Sequence, residues 1–513
     1  MHDLITGSPS TASVPTSARR GVALGVLTLA VVLLAVDGTV LALAVPALTA
    51  DLDPTASQVL WIGDIYSFAL AGLLVTMGNV ADRIGRKRLL LIGAAGFGIS
   101  SVIAAFAPTP ELLIAARALL GISGATLMPS TLSIVRNLYD DPKQRTRAIA
   151  IWSAGATAGA AVGPIIGGAL LEHFWWGSVF LINVPIIIVI IVVGAIVLPE
   201  SRNPVRIPID VLSAVLSIAA IVPLVYAVKH AVTVAPDLEA LIALAIGSIA
   251  AVVFVRRQRR IAHPMIDIAL FRSPAFSGAV VANGISVFAF VGLLFFFSQY
   301  LQLVRGFSPL QAGLLELPSA IASIIVIALA AFIVGRLGRG RAIGTGLAVA
   351  ALGLGMLAIA EAMPGIAAII VAFAVLGFGV GLSMTLATDA VISAAPKDRA
   401  GAAASISETS YELGVALGIA VLGSLQTALY RWNLPPIDDE AVGGVVRESL
   451  ATASARLDLT DPAQAALLAE AQHAFTVGMQ VTSVVAAVIL VLAAVVAWRV
   501  IPSPRSPKLQ LHG

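Results

Sequence analysis

The sequence predicts an all-α integral membrane protein: fourteen transmembrane helices, forming two six-helix bundles with two extra helices between them. Three observations carry this. Hydrophobic runs of about 20 residues recur along almost the whole chain, each long enough to span a bilayer as a helix. The 513 residues are 59% hydrophobic and only 12% charged, against about 25% charged in a soluble domain. Two basic turn motifs also recur at one offset, as an internal duplication would produce.

The composition excludes as much as it predicts. A soluble protein this apolar could not cover its own surface. The absence of Cys excludes disulfide scaffolds, thiolate zinc sites and thiol catalysis. The six His residues are scattered without ligand spacing, so no metal is expected. A G-x-S-x-G elbow, a phosphate loop and a sizeable soluble domain are all missing, which argues against an enzyme or a sensor. Without a nucleotide motif the energy source is an ion gradient, and no cofactor or nucleic-acid partner is expected.

Taken in order, residues 1–18 are rich in Ser, Thr and Pro and read as a disordered cytoplasmic tail. The spans centre near residues 34, 71, 98, 124, 158, 187, 218, 247, 288, 322, 351, 379, 414 and 487. The first, "SARRGVALGVLTLAVVLLAV", is a permanent helix and not a signal peptide, because Asp37 interrupts its apolar run and thirteen more spans come after it. The first bundle is expected over 19–200, the two extra helices over 201–260, and the second bundle over 261–500. Residues 431–472 read as an external helical hairpin broken at "TDP" (460–462), and 501–513 as a second cytoplasmic tail. With a cytoplasmic N-terminus, the cytoplasmic segments hold 25 Lys+Arg; the external loops hold 5 (Lys229, Arg305, Arg431, Arg447, Arg456), and Arg117 lies within a span. That bias places both termini in the cytoplasm.

The duplication rests on two matches. "RIGRKR" (83–88) is echoed by "RLGRGR" (336–341) 253 residues later, and "PKQRTRAIA" (142–150) by "PKDRAGAAA" (396–404) at offset 254. Span two then corresponds to span ten and span four to span twelve. An even number of spans separates the copies, so both face the same way.

These features resemble the major facilitator superfamily. "GNVADRIGRKRLLLIG" (78–93) resembles its loop motif after the second helix, and "LLIAARALLGISGA" (112–125) its fourth-helix motif with a buried Arg. "AGAAVGPIIGG" (158–168) is similar to the fifth-helix Gly-Pro signature of drug antiporters. With fourteen spans, the chain resembles the second drug:proton antiporter family, and within it the QacA/SmvA/LfrA-type exporters of quaternary ammonium compounds. The resemblance implies a monomeric, multi-pass protein of the bacterial inner membrane. It also implies that Gly159, Gly163, Pro164 and Gly167 seal the contact between the halves, and that Asp82, Arg83, Gly85 and Arg86 latch the inner side. Some relatives carry an acid deep in span ten where this chain has Ser323.

The intramembrane charges are the candidate site. A charged side chain at the bilayer centre costs roughly 2.5–3.5 kcal/mol on insertion scales, so Asp37, in "VLLAVDGTVLALAVP" (32–46), needs a reason. Asp37 and Glu408 are too deep to snorkel, whereas Asp64 and Glu316 lie nearer the outside and Asp389 nearer the cytoplasm. Glu408 and Glu412 are four apart, on one helix face, and are expected to titrate as a pair. Low dielectric disfavours the charged form of a carboxylate, and an arriving cation favours it. One such group open to both ligands is enough for antiport. Arg117, always charged, needs a partner; Asp37 lies in the same half, and the resemblance implies that the Arg takes part in proton coupling. Expected proton-coupling residues are therefore Asp37, Arg117 and Glu408. Expected substrate-binding residues are Asp37, Asp64, Glu316, Glu408 and Glu412, with the aromatics Trp61, Tyr66, Trp152, Tyr300 and Tyr411 stacking on planar cations. Trp175 and Trp176 are expected in the interfacial belt. The sequence reads as a proton-driven exporter of lipophilic cations, membrane lipid and protons being its other partners. Export of another amphiphile, such as a lipid, a neutral antibiotic or a metabolite, is the alternative.

Overall fold

The computed structural model describes residues 17–139, 141–201, 210–233, 237–261, 264, 266–395 and 400–502. Residues 1–16 and 503–513 of the expected tails (1–18 and 501–513), the basic residues at 202–206 and the "PKDR" of the second repeat match lie outside the described residues, whereas Ser17 and Ala18 open the first helix. Fourteen helices among the described residues are long and apolar enough to cross a membrane. In a bilayer only helices or closed barrels satisfy every backbone N–H and C=O, and this sequence takes the helical solution.

The first half comprises α1 (Ser17–Leu52), α2 (Ala56–Ile84), α3 (Arg86–Ala105), α4 (Pro110–Leu138) and α5 (Pro142–His173). Its sixth span is made of the short α6 (Ser178–Leu181) running into α7 (Asn183–Val197). Two further helices come next, α8 (Val211–Thr233) and α9 (Leu238–Gln258). The second half holds α10 (Pro274–Gln299, continued by a π turn to Val304), α11 (Pro309–Leu337), α12 (Arg339–Ala360), α13 (Ala367–Ala394) and α14 (Ala400–Asn433). The short α15 (Glu440–Glu448) and α16 (Leu450–Arg456) precede the last span, α17 (Pro462–Val500).

The duplication is written into local structure. Thr55 and Gln58 form a capping box at the start of α2, and Ser308 and Gln311 form one at the start of α11, 253 residues on. Each box satisfies two helix-end N–H groups reciprocally. Both helices end at a left-handed glycine, Gly85 (φ 116) and Gly338 (φ 78), again 253 apart. At that φ a side chain is strained, so both basic turns need glycine there. Packing repeats too: α1 lies on α5 as α10 lies on α14, and α2 on α4 as α11 on α13.

The halves meet along two seams, α5 against α11 and α2 against α14. With fourteen spans both ends of the described chain reach one end of the bundle, the near end. At the far end the halves are joined: Gln302 Nε2 donates to the Leu43 carbonyl at 3.1 Å, the Ala56 N–H to Glu448 at 2.6 Å, and Arg456 pairs with Asp53. At the near end Asp82 binds Arg86 (2.8 Å) and Arg339 binds Asp389 (2.7 Å), each within its own half. Helix α8 covers the α2–α14 seam, where Ser217 donates to the Gly72 carbonyl at 3.2 Å. Helix α9 packs on α8 and turns Leu241, Ile246 and Ile249 outward.

Three expectations are corrected. The 431–472 segment is not a hairpin of two separate helices, since its second helix-prone stretch forms the opening turns of α17. After Pro462, which sits acceptably in the first turn, no proline interrupts that helix. Trp176 is not a belt residue: it is buried and donates to Asp51 at 2.6 Å, whereas Trp175 is exposed. The glycine stripe of α5 faces α1 inside its own half, with Gly159 against the Val32 carbonyl and Gly163 against Thr39. Contact across the seam comes instead from Pro164, whose carbonyl meets Gly313, and from Gly168, where a Cβ would stand 2.6 Å from Leu310 Cα.

Gly313→Leu should therefore prise α5 from α11 and open the far end. In this Cys-free chain a Leu310→Cys reporter should react several-fold faster with an impermeant maleimide when Gly313→Leu is added. Gly163→Leu should instead lower the melting temperature by wedging α1 from α5, with little change in that labelling.

Candidate functional site

Arg117, on α4, is 2% exposed and held from three sides. Its Nη1 lies 3.2 Å from Asp37 Oδ2, its Nε donates to the Ile62 carbonyl at 3.1 Å, and its guanidinium stands 4.8 Å from the Tyr66 ring centroid. Asp37 is fully buried on α1, and its other oxygen accepts from Asn183 Nδ2 at 2.8 Å. Asn183 in turn donates to Ser101 at 3.2 Å. The pair that the sequence suggested is formed, inside the first bundle, and it ties α1, α2, α4 and α7 together. Neither Asn183 nor Ser101 was legible as a partner, because one polar residue in "FLINVP" carries no directional signal.

The second buried pair was missed. Lys229 does not lie in an external loop; it is inside the α8 span, 1% exposed, with Nζ 2.8 Å from Asp64 Oδ1 and 2.6 Å from Oδ2. The same ammonium stands 3.7 Å from the Trp61 ring centroid. Burial of a lone ammonium in hydrocarbon is costly, so the α8 helix carries it to the carboxylate. A usable signal existed: Lys229 lies within an otherwise apolar stretch long enough to span.

The acids of α14 sit on the other side of the seam. Glu412 is buried and faces Ser67, while Glu408, one turn away, and Tyr411 are half-buried. Tyr66 lies within electrostatic reach of both Asp37 and Glu412, between the two halves. Tyr66, Tyr411, Glu408 and Glu412 thus lie where α2 meets α14, with the Asp37–Arg117 pair beside Tyr66 inside the first bundle and Asp64 and Trp61 against Lys229 of α8.

Other candidates stand apart. Glu316 is buried on α11, three residues beyond the Gly313–Pro164 contact, and its Oε1 has no hydrogen-bond partner among the described residues. Trp152 is buried on α5 with its indole N–H likewise unpartnered among them. Tyr300 is locked at the far end, donating to the Glu361 carbonyl at 2.8 Å and accepting from Arg305 at 3.3 Å. Asp389 is half-exposed on Arg339. Of the inner-loop residues, Arg83 is exposed, and Gly85 brings the chain against the Glu200 carboxylate. His230, Asp237 and Glu239 bring ligand atoms within 4.8 Å of one another at the α8–α9 turn, which no spacing foretold. There the Ala240 N–H and His230 hold the Asp237 carboxyl below its usual range.

Two helical repeats with buried carboxylates and buried ion pairs define a polytopic membrane protein. The chain belongs to the Major Facilitator Superfamily, whose profile matches residues 27–419. It is 46% identical to "Multidrug efflux pump LfrA" of Mycolicibacterium smegmatis over 97% of this chain and 99% of that protein. It is 36% identical to "Methyl viologen resistance protein SmvA" of Salmonella typhimurium (94% and 98%), and 32% identical to "Tetracenomycin C resistance and export protein" of Streptomyces glaucescens (99% and 97%). In fold it matches a bacterial homologue of the human lysosomal transporter Spinster in an inward-facing, unoccupied conformation, with TM-score 0.66 and 18% identity over 95% of this chain and 100% of that one. The efflux-pump relatives and the family make it a transporter and not an enzyme, and the fourteen spans fit the multidrug branch.

Removing one partner of a buried ion pair costs about 3–5 kcal/mol, whereas removing both costs far less. Asp37→Asn should therefore lower the melting temperature in detergent more than Asp37→Asn combined with Arg117→Gln. Equal losses would mean that Arg117 is not left as an uncompensated buried charge in the single variant.

Proposed function

We propose that the protein is a proton-driven antiporter exporting lipophilic cations, such as quaternary ammonium compounds, cationic dyes and biocides. The observation that carries this is the set of carboxylates beside aromatic rings along α2 and α14, Asp64 with Trp61 and Glu408 and Glu412 with Tyr66 and Tyr411. Fixed anions beside aromatic faces recognise a cation by charge and by its π-binding body. A carboxylate in low dielectric either holds a proton or neutralises a cation, but not both at once. Binding of one ligand thus releases the other, and alternation of the two seams carries them in opposite directions. Arg117 and Asp37 would serve the proton side of the cycle and Glu408 both sides. No cofactor is required, and membrane lipid and protons are the remaining partners; the unit is a monomer.

On this reading the protein lies in the bacterial inner membrane with both termini cytoplasmic. With Lys229 removed from the external tally, 25 basic residues on one side stand against 4 on the other, which strengthens the assignment. In that orientation the joined far end faces outside. Export of a different amphiphile is the second reading, favoured by the spread of relatives' names from methyl viologen to tetracenomycin C.

Everted vesicles given an inward-acid pH gradient should accumulate ethidium and tetraphenylphosphonium, and collapse of the gradient should release them. Accumulation of neutral compounds alone would establish the second reading. Glu408→Gln should reduce cation uptake about tenfold or more while Asp389→Asn, half-exposed on Arg339, changes it less than twofold. The reverse order would sink the site assignment.

A further inference from the structure

Asp64 and Trp61 are three residues apart on α2 and so share a face. A carboxylate beside an indole is a complete site for an organic cation, with the anion meeting its charge and the ring its apolar body. In this structure the protein itself fills that site. Lys229 Nζ lies 2.6 Å from Asp64 Oδ2 and 3.7 Å from the Trp61 centroid. The lysine comes from α8, one of the two helices that interrupt the repeat.

We propose that Lys229 is a tethered stand-in for substrate: its ammonium occupies an organic-cation site formed by Asp64 and Trp61, and a substrate cation enters by displacing it. The proposal rests on the reading of the protein as an exporter of lipophilic cations.

The chemistry of the side chain supports it. Lysine carries a point charge on a flexible stem and can swing away, whereas a guanidinium is suited to fixed multi-point contacts. The two buried pairs differ in this way, with Arg117 bound to a carboxylate on α1 and to a carbonyl and a ring on α2. Position supports it as well. Phe68, Val225, Ala416 and Ala420 form a small apolar cluster joining α2, α8 and α14, and Trp61 packs against it. Gly63, beside Asp64, meets Phe295 and Ile419 of the other half. The site is thus on a seam that has to change as the halves rock.

Charge balance gives the exchange its use. A substrate leaving Asp64 would strand a buried anion, which is unfavourable. A returning ammonium neutralises it and helps expel the substrate. Because it is tethered, Lys229 competes at high effective concentration. Weak cations are then excluded and strong ones are not retained, which assigns the inserted helices a part in selection and turnover.

Tetraphenylphosphonium binding to the purified full-length protein tests this, using Lys229→Met, Asp64→Asn and both together. Lys229→Met should tighten binding about tenfold, equivalent to ~1.4 kcal/mol, and slow efflux. Asp64→Asn should weaken binding, and the double variant should match Asp64→Asn because nothing remains to compete for. Unchanged or weaker binding by folded Lys229→Met overturns the proposal, as does wild-type affinity in Asp64→Asn. Acylation of the wild-type protein by a small amine reagent, mapped by mass spectrometry, needs no variant to fold. Labelling at Lys229 should rise several-fold with saturating tetraphenylphosphonium, and equal or lower labelling overturns the displacement. A wild-type protein that binds no such cation sinks the functional reading and this inference with it. Normal wild-type binding with an indifferent Lys229→Met sinks the inference alone.

Discussion

A guanidinium that cannot lose its proton has to be neutralised wherever hydrocarbon surrounds it. In this chain Arg117 meets that demand by drawing Asp37 from α1, the Ile62 carbonyl from α2 and, through Asp37, Asn183 from α7. The four helices are held in register by electrostatics more than by apolar packing, because lipid tails are as apolar as the helices' own side chains. Small residues then permit close approach. Gly121 on α4 abuts the Tyr66 backbone, which brings the Tyr66 ring beneath the guanidinium.

The second half has the same helix packing, with no equivalent cage among the described residues. Its buried acids are spread out: Glu412 at the seam, Glu316 near the α5 contact, and Glu361 at the far end accepting from Ser483 at 3.2 Å. The first half is therefore tied internally by a buried ion pair, and the second turns one buried carboxylate, Glu412, toward Ser67 of its neighbour. The far-end hydrogen bonds and the half-contained near-end pairs together describe a molecule closed at one end.

The inserted helices alter this plan. In a bare duplication the α2–α14 seam would face lipid, but here α8 lies over it and reaches inward with Lys229. An insertion between two repeats is tolerated because an even number of spans preserves the orientation of the second copy. It acquires consequence once one of its residues is charged and the seam beneath holds an acid.

The sequence by itself determined the class, the fourteen spans and the duplication. Length and apolarity suffice for spans in a solvent that forbids open backbone, and a repeat is visible wherever turns need the same residues, as at Gly85 and Gly338. It also marked Arg117 and Asp37, since a charge deep in an apolar run is rare enough to need a partner. Which partner satisfies which charge was decided by tertiary structure alone. Lys229 looked like a loop residue because hydropathy blurs the end of a span, and its pairing with Asp64 links residues 165 positions apart. The glycines of α5 likewise announced a close contact without saying with what. A small-residue stripe has no polarity, so only the packed bundle could direct Gly163 toward α1 and Pro164 toward Gly313.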